Sequence, residues 1–342
     1  MSIIFRAEQR AIEKAMQKLK EHGGISDGAT FQYDKINDLR REIHYKDFDF
    51  LHMAQIKPII SKNDVTNIVS IDKELVEIAL DRLKGQGFIS EDAFFDYENL
   101  NKPSDKVYYR DFHFQYYLGE YGDEEITESS LELLKRNNLI SNNAKYSLQA
   151  YNSLQKEVKP NFKIPDTAFS PSMERLLYML SSVKKPERTV GLGTFCGYTY
   201  LWVIGASCST GKIYNAEKAY GIDIDKDSTN TAKENFKKLT DVEHVEFIAE
   251  DAYVFSNNIN EEFDYIYLDA DAKDIGKGIY LPLLKNLYSK LKKGGWVLAH
   301  DTTLPAFKDQ LDQYLDFVRD KNNFIESISF KIDLFGLELS IK

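Results

Sequence analysis

The pattern of apolar and polar positions changes along the chain. From Thr189 onward, short apolar runs alternate with longer segments whose apolar residues recur at helical spacing. The apolar runs are TVGLG, AYGIDID, VEFIAED, FDYIYLDA and GWVLAHD. Strands that alternate with helices are typical of an α/β protein with a doubly wound parallel sheet, so this is the fold predicted for the C-terminal half.

The last two apolar segments predict a different pairing. FIESISFKI and GLELSIK are separated only by the turn at residues 333–336, and two strands joined so closely must pair antiparallel. A Rossmann-like sheet that ends in an antiparallel hairpin differs from a nicotinamide-binding sheet. In either sheet, ligands are expected at the carboxyl ends of the parallel strands.

The N-terminal half contains an internal repeat. The segment that starts at Ala11 recurs from Leu75, without a gap and at an offset of 64 residues. Each copy predicts an amphipathic helix, a break and a short strand that includes Phe31 in the first copy. We therefore expect residues 1–150 to form a smaller α+β or mostly helical domain. We expect residues 151–342 to form the second domain, which begins with a junction in which Pro160 and Pro165 disfavour a helix.

Composition and charge argue against several classes of protein. Hydrophobic residues make up 43% of the chain, and no run approaches the roughly 18 apolar residues of a membrane-spanning helix. The first residues lack the apolar core of an export signal, so we expect a cytoplasmic protein in which Cys196 and Cys208 are packing residues and not a disulfide. The formal net charge of −10 argues against nucleic acid as a partner.

Glycine and aspartate residues follow the first two strands of the predicted sheet. The run from Gly191 to Gly197 has the spacing Gly-x-Gly-x-x-x-Gly, which differs from the nicotinamide fingerprint. Glycine lets a backbone approach a ligand closely, and a carboxylate such as Asp223 at the end of the second strand can accept both hydroxyls of a ribose. A tight strand-to-helix connection and a helix cap are the alternatives at these two places.

Several motifs together resemble one enzyme family. In chain order they are GTFCGYT, GIDID, AEDA, FDYIYLDAD, LKKGGW and FKIDLFGLELSIK. This series looks like the cation-dependent O-methyltransferases, the group that contains the catechol and caffeoyl-CoA O-methyltransferases. The preceding AFSPSMERLLYMLSSVKKPERTV resembles the helix that usually leads into their first strand. The resemblance covers about half of the chain and implies methyl transfer from S-adenosylmethionine to a hydroxyl oxygen of a small molecule.

The resemblance also implies which residues form the site. Cofactor-binding positions are Gly191, Gly193, Thr194, Phe195, Gly197, Thr199, Asp223, Ile224, Asp251, Ala252 and Asp269. Gly193 and Thr199 would border the methionine moiety, Asp223 would hold the ribose, and Asp251 with Ala252 would line the adenine. The metal ligands would be Asp269, His300 and Asp301, a set able to bind Mg²⁺ or a similar divalent cation. The same three residues and Lys273 are the expected catalytic residues.

Three positions depart from the family pattern. The family usually has an acid at the position of Gly191, and its base lysine would fall on Ala272, one residue before Lys273. Its Asp-Asn pair of metal ligands falls on His300 and Asp301. A structural hydrogen bond is the alternative role for His300, and a solvated surface charge is the alternative for Lys273.

Rival functions stay open. One is methylation of a tRNA nucleoside, although the negative net charge of the chain argues against it. Another is a catalytically degenerate scaffold that only binds the cofactor. A nicotinamide oxidoreductase is disfavoured by the glycine spacing and by the closing hairpin. The N-terminal repeats could form a lid, recognise the acceptor or hold a homodimer together.

Overall fold

The computed structural model describes residues 123–165, 170–330, 332 and 335–342, together with short segments before residue 114. Two compact units divide the chain. One contains residues 1–8 and 123–342, and the other contains residues 9–122. In the described part of the chain, no helix is both long and apolar enough to span a bilayer.

The strands before residue 114 are short: β1 Ile3–Phe5, β2 Thr30–Phe31, β3 Glu42–His44, β4 Asp47–Phe48, β5 Ile59–Lys62, β6 Asn67–Ser70, β7 Phe94–Phe95, β8 Val107–Tyr108 and β9 Asp111–His113. Seven more strands follow: β10 Arg188–Leu192, β11 Lys218–Asp223, β12 Val245–Ala249, β13 Phe263–Leu268, β14 Leu291–His300, β15 Glu326–Phe330 and β16 Leu337–Ile341. The helices are α1 Asp123–Arg136, α2 Leu148–Val158, α3 Pro171–Lys184, α4 Tyr198–Ile204, α5 Lys226–Phe236, α6 Ala252–Asn258, α7 Tyr280–Tyr288 and α8 Lys308–Arg319.

The larger unit is built on one mixed sheet. Its strand order is β12-β11-β10-β13-β14-β16-β15-β1. The pairs among β10 to β14 are parallel, and β16 is antiparallel to both β14 and β15. The predicted doubly wound α/β sheet with a closing antiparallel hairpin is thereby confirmed. Two features were not predicted, namely that β16 lies between β14 and β15, and that β1 pairs in parallel with β15.

The core of this unit lies between the sheet and its helices. All six residues of β13 are buried, which is why its sequence is almost uniformly apolar instead of alternating. Helix α7 buries Leu283, Leu284 and Leu287, spaced as one helical face, in the same cluster as Ile266 of β13 and Val297 of β14. This packing fixes the ends of the central strands.

Helices α1 and α2 also belong to the larger unit. Ile126, Leu131 and Leu134 of α1 are buried, and α1 packs against α3. The compact unit therefore takes in part of the chain before residue 151. The division of roles between residues 1–150 and 151–342 stays a prediction.

In the smaller unit, strand pairing repeats at the offset found in the sequence. Thr30 of β2 faces His44 of β3, and Phe94 of β7 faces Tyr108 of β8, which are the same positions 64 residues later. Strands are also exchanged between the copies. Strand β9 from the second copy pairs with β3 and extends the sheet of β2 and β3. Strand β4 from the first copy pairs with β8 and extends the sheet of β7 and β8. Each sheet therefore contains strands from both copies.

Candidate active site

The glycine-rich loop connects β10 to α4 at the carboxyl edge of the sheet. The backbone has positive φ at Gly193 (86°), Phe195 (45°) and Gly197 (78°). The N–H groups of Gly193 and Thr194 donate to the carbonyl of Ile222 at 2.8 and 3.2 Å. A Cβ atom on Gly193 would lie 2.4 Å from the backbone nitrogen of Ala270, so only glycine allows the loop to pack this closely.

Gly191, where the family usually has an acid, has no room for a side chain. A Cβ atom at this position would lie 2.4 Å from the ring of Tyr200, a fully buried residue on α4. The ring of Tyr200 occupies the space that a side chain at position 191 would need. An acid at position 191 and the ring of Tyr200 in its present position therefore exclude each other.

Asp223, at the end of β11, accepts hydrogen bonds from the glycine-rich loop and from the residues that follow β11. Its Oδ2 accepts a hydrogen bond from the N–H of Phe195 at 2.7 Å, and its Oδ1 accepts one from the N–H of Asp225 at 2.9 Å. Asp225, and not Asp223, is the residue that caps α5, through the N–H of Ser228. A carboxylate has about four acceptor positions, so Asp223 keeps acceptor capacity for ribose hydroxyls.

The residues predicted to meet the adenine lie beside Asp223. Asp251 caps α6 by accepting hydrogen bonds from the N–H groups of Tyr253 and Val254, and Ala252 begins that helix. Three large apolar side chains are exposed at these neighbouring strand ends: Phe195 is 51% exposed, Ile224 71% and Tyr253 49%. Exposed apolar side chains beside a carboxylate suit a ligand with a flat apolar part and a polar part.

The remaining cofactor positions are on α4 or next to it. Thr194 is buried, Gly197 is the N-cap of α4, and Thr199 is half-buried in its first turn. A Cβ atom on Gly197 would lie 3.0 Å from Ala232 of α5. Gly197 therefore allows α4 and α5 to approach each other behind the loop.

An ionic cluster lies at the ends of β13 and β14. Asp269, His300 and Asp301 each place one potential ligand atom within 4.8 Å of the others. Nδ1 of His300 is 3.2 Å from Oδ1 of Asp301 and 3.6 Å from Oδ1 of Asp269. The imidazole ring stacks on Phe335, with centroids 5.9 Å apart. The three residues predicted as metal ligands are therefore close together.

A lysine that the sequence analysis did not identify completes this cluster. Nζ of Lys277 is 2.9 Å from Oδ1 of Asp269 and 2.7 Å from Oδ2 of Asp301. It also donates to the backbone carbonyl of Asp269 at 3.2 Å. The side chain is only 6% exposed, and its ammonium lies 5.5 Å from the ring centroid of Tyr280 and 5.7 Å from that of Phe307.

The chain segment before Lys277 fixes its position. Ala272 and Gly276 exchange backbone hydrogen bonds, and Gly276 has a φ of 54°. The backbone N–H of Lys277 then donates to Oε1 of Gln310 on α8 at 2.8 Å. A short 3-10 turn, Lys277–Ile279, leads directly into α7.

The charges in the cluster stabilise one another. Burial raises the pKa of Asp269, but the positive charges of Lys277 and His300 outweigh burial and hold that pKa at about 2. Burial lowers the pKa of Lys277, but Asp269 and Asp301 outweigh it and raise that pKa above its usual value. The remaining oxygen of Asp269 accepts a hydrogen bond from the hydroxyl of Tyr267 at 2.8 Å. Lys277 is therefore an ammonium and not a base.

Lys273, the predicted base, is not part of the cluster. Its side chain is exposed and makes no hydrogen bond or ion pair with any residue that the structure describes. Lys277, four residues further on, takes the place beside Asp269. The signal in the sequence was a lysine between two glycines, Gly276 and Gly278, directly before an apolar helix.

The cluster does not fit a divalent cation in this arrangement. Such an ion would lie roughly 2.0–2.6 Å from the carboxylate oxygens that bind it. The ammonium of Lys277 already bridges Asp269 and Asp301. Two positive centres cannot share that position, so a metal would have to displace Lys277.

Comparison with known proteins agrees with the motifs of the C-terminal half. The O-methyltransferase family model matches residues 140–310. A caffeoyl-CoA O-methyltransferase from Stellaria longipes is 28% identical over 141 residues, which is 40% of this chain and 54% of that protein. The match thus spans about half the length of this curated relative.

Similar solved structures include a putative O-methyltransferase from Klebsiella pneumoniae, at 13% identity and a TM-score of 0.44, covering 64% of this chain and 98% of that one. Another is the SAH-bound Podospora anserina methyltransferase PaMTH1, at 16% identity and a TM-score of 0.45, covering 64% and 95%. Since the family model matches half of its residues, the chain belongs to the O-methyltransferase family.

Proposed function

We propose that this protein transfers a methyl group from S-adenosylmethionine to a hydroxyl oxygen of a small molecule. The observation that carries the proposal is the contact between the glycine loop and the ionic cluster. Gly193 packs against Ala270, and the N–H of Asp269 donates to the carbonyl of Leu192 at 2.9 Å. A cofactor on the loop and an acceptor at the cluster would therefore be neighbours, as a direct transfer requires.

The cofactor half of the site suits the chemistry of S-adenosylmethionine. Asp223 has acceptor capacity for the two ribose hydroxyls, and Gly193 and Thr199 would border the methionine moiety. Asp251 and Ala252 would meet the polar edge of the adenine, while the exposed apolar side chains beside them suit its faces. When bound, this cofactor supplies a methyl group on a positively charged sulfur, which leaves as a neutral thioether.

The acceptor half would prepare a hydroxyl group for attack. An ammonium beside the hydroxyl favours the oxyanion, and Lys277 is the nearest fixed positive charge. Nδ1 of His300 faces the carboxylates of Asp269 and Asp301 and would help to hold both in place. The acceptor's proton would pass to solvent water, because Nε2 of His300 is buried. The oxyanion would then form its bond to the methyl carbon as the carbon–sulfur bond breaks.

One feature of the cluster supports the predicted assistance by Mg²⁺ or a similar cation, and another feature opposes it. Two carboxylates and an imidazole are a chemically suitable ligand set. The ammonium of Lys277 counts against it, because it bridges both carboxylates. We therefore derive the stabilisation of the oxyanion from the protein's own side chains.

Other predictions about the whole protein rest on the sequence. The net charge of −10 favours a small acceptor over tRNA. A location in the cytoplasm and a homodimer also stay predictions. A degenerate scaffold would bind S-adenosylhomocysteine without transferring a methyl group to any acceptor.

Isothermal titration with S-adenosylhomocysteine tests the cofactor site. We expect wild type to bind and Asp223→Ala to lose at least about tenfold in affinity, because a hydrogen-bonded carboxylate contributes roughly 1.5 kcal/mol or more. Asp227→Ala is the matched control, since it removes an exposed carboxylate four residues away. Equal affinity of Asp223→Ala and wild type, with both variants folded, would contradict the assignment.

A further inference from the structure

We infer that Lys277 is the resident cation of the acceptor site and stands among the residues that the family resemblance implies as metal ligands. The inference rests on the proposed function, since it assumes that the cluster of Asp269, Lys277, His300 and Asp301 binds the acceptor oxygen. It has two consequences. Methyl transfer needs no divalent ion, and the acceptor needs only one hydroxyl group.

The ammonium of Lys277 lies where a metal ion would have to bind. Nζ of Lys277 lies 2.9 Å from a carboxylate oxygen of Asp269 and 2.7 Å from one of Asp301. These are the two side chains with the strongest affinity for a hard cation in the cluster. A divalent ion would need the same oxygens and would meet a second positive charge within bonding distance of them.

Burial and contacts with neighbouring residues hold Lys277 in place. Its side chain is 6% exposed, and its backbone N–H is held by Gln310. The turn before it packs closely on Gln310, because a Cβ atom on Gly276 would lie 2.2 Å from Oε1 of that residue. The ammonium of Lys277 lies 5.5 Å from the ring centroid of Tyr280 and 5.7 Å from that of Phe307. Lys273, by contrast, is an exposed lysine of the same loop that stays away from the carboxylates.

The ammonium of Lys277 has a donor left for a bound acceptor. A lysine ammonium has three N–H groups. Two of them are directed at Asp269 and Asp301, and the longer contact to the carbonyl of Asp269 is the weakest of the set at 3.2 Å. One N–H can therefore turn to a bound oxygen. A metal chelates two neighbouring oxygens, whereas this ammonium recognises one, so simple phenols should serve as well as vicinal diols.

The metal-binding test uses Mn²⁺ alone, followed by the electron paramagnetic resonance signal of the free ion. We expect wild type to leave this signal unchanged. Lys277→Met, which keeps the length of the side chain but removes its charge, should take up one Mn²⁺ per chain. The double variant Lys277→Met/Asp301→Asn should lose that uptake, and Lys273→Met should behave as wild type. Stoichiometric uptake by wild type that Asp301→Asn abolishes would overturn the inference.

The activity test separates this inference from the proposed function. Wild type freed of metals with a chelator should keep its rate within about twofold on a phenol and on a vicinal diol. Lys277→Met should lose roughly 100-fold or more in kcat, as expected when a group that stabilises an oxyanion is removed. Its affinity for S-adenosylhomocysteine should not change. Activity that disappears with chelator and returns with Mg²⁺ would overturn the inference alone, whereas absence of cofactor binding would overturn the proposed function.

Discussion

Single residues in this protein explain where its site departs from the family pattern. The glycine at position 191 is not a lost acid in an otherwise unchanged pocket, because the buried ring of Tyr200 fills the space beside it. The sequence revealed the missing acid but not the tyrosine that replaces it. The two residues are nine positions apart in the chain, and only the packing of α4 on β10 brings them together.

Gly191→Ala should destabilise the fold. The added methyl group would lie 2.4 Å from the ring of Tyr200, and overpacking of this kind costs about 1–3 kcal/mol. Urea unfolding of the two proteins measures the difference. Gly278→Ala is the control, because its Cβ atom would meet no atom of the described part of the chain closer than 3.5 Å. Equal losses in the two variants would show that Tyr200 does not restrict position 191.

At the scale of elements, the loop between β13 and α7 determines what the ionic cluster can do. Periodicity predicted both of these elements, and the parallel strands brought Asp269, His300 and Asp301 to one edge as expected. The conformation of the loop could not be predicted in the same way. It depends on the turn at Gly276 and on Gln310, a residue of a later helix, and these two decide that Lys277 and not Lys273 reaches the carboxylates.

Gly276→Ala should therefore impair catalysis through Lys277. The variant combines an unfavourable positive φ with a clash against Gln310, so the turn must shift and carry the lysine with it. We expect kcat to fall at least about tenfold, as if a transition-state contact had been loosened, with unchanged affinity for S-adenosylhomocysteine. Gly294→Ala matches the backbone strain, since its φ is 73° and no described residue lies within 4 Å of the added atom. An equal loss of kcat in both variants would argue for a general effect of instability.

At the scale of the whole molecule, pairing over long distances in the chain was the hardest feature to foresee. The sequence predicted the repeated module, but not that each copy gives a strand to the other's sheet. It likewise predicted the closing hairpin, but not that β1 extends the sheet beyond β15. A hydrophobic period identifies a strand without identifying its neighbour, because unpaired edges of similar strands compete for the same partner.

The most direct test of the central claim is methyl transfer itself. Purified protein in excess chelator is given S-adenosylmethionine with a labelled methyl group and a set of phenols and vicinal diols, and the products are identified by mass spectrometry and nuclear magnetic resonance. The account predicts a label on oxygen with wild type and at most about a hundredth of that rate with Lys277→Met. Binding of S-adenosylhomocysteine without a labelled product from any acceptor, with or without Mg²⁺, would contradict it and favour a scaffold that only binds the cofactor.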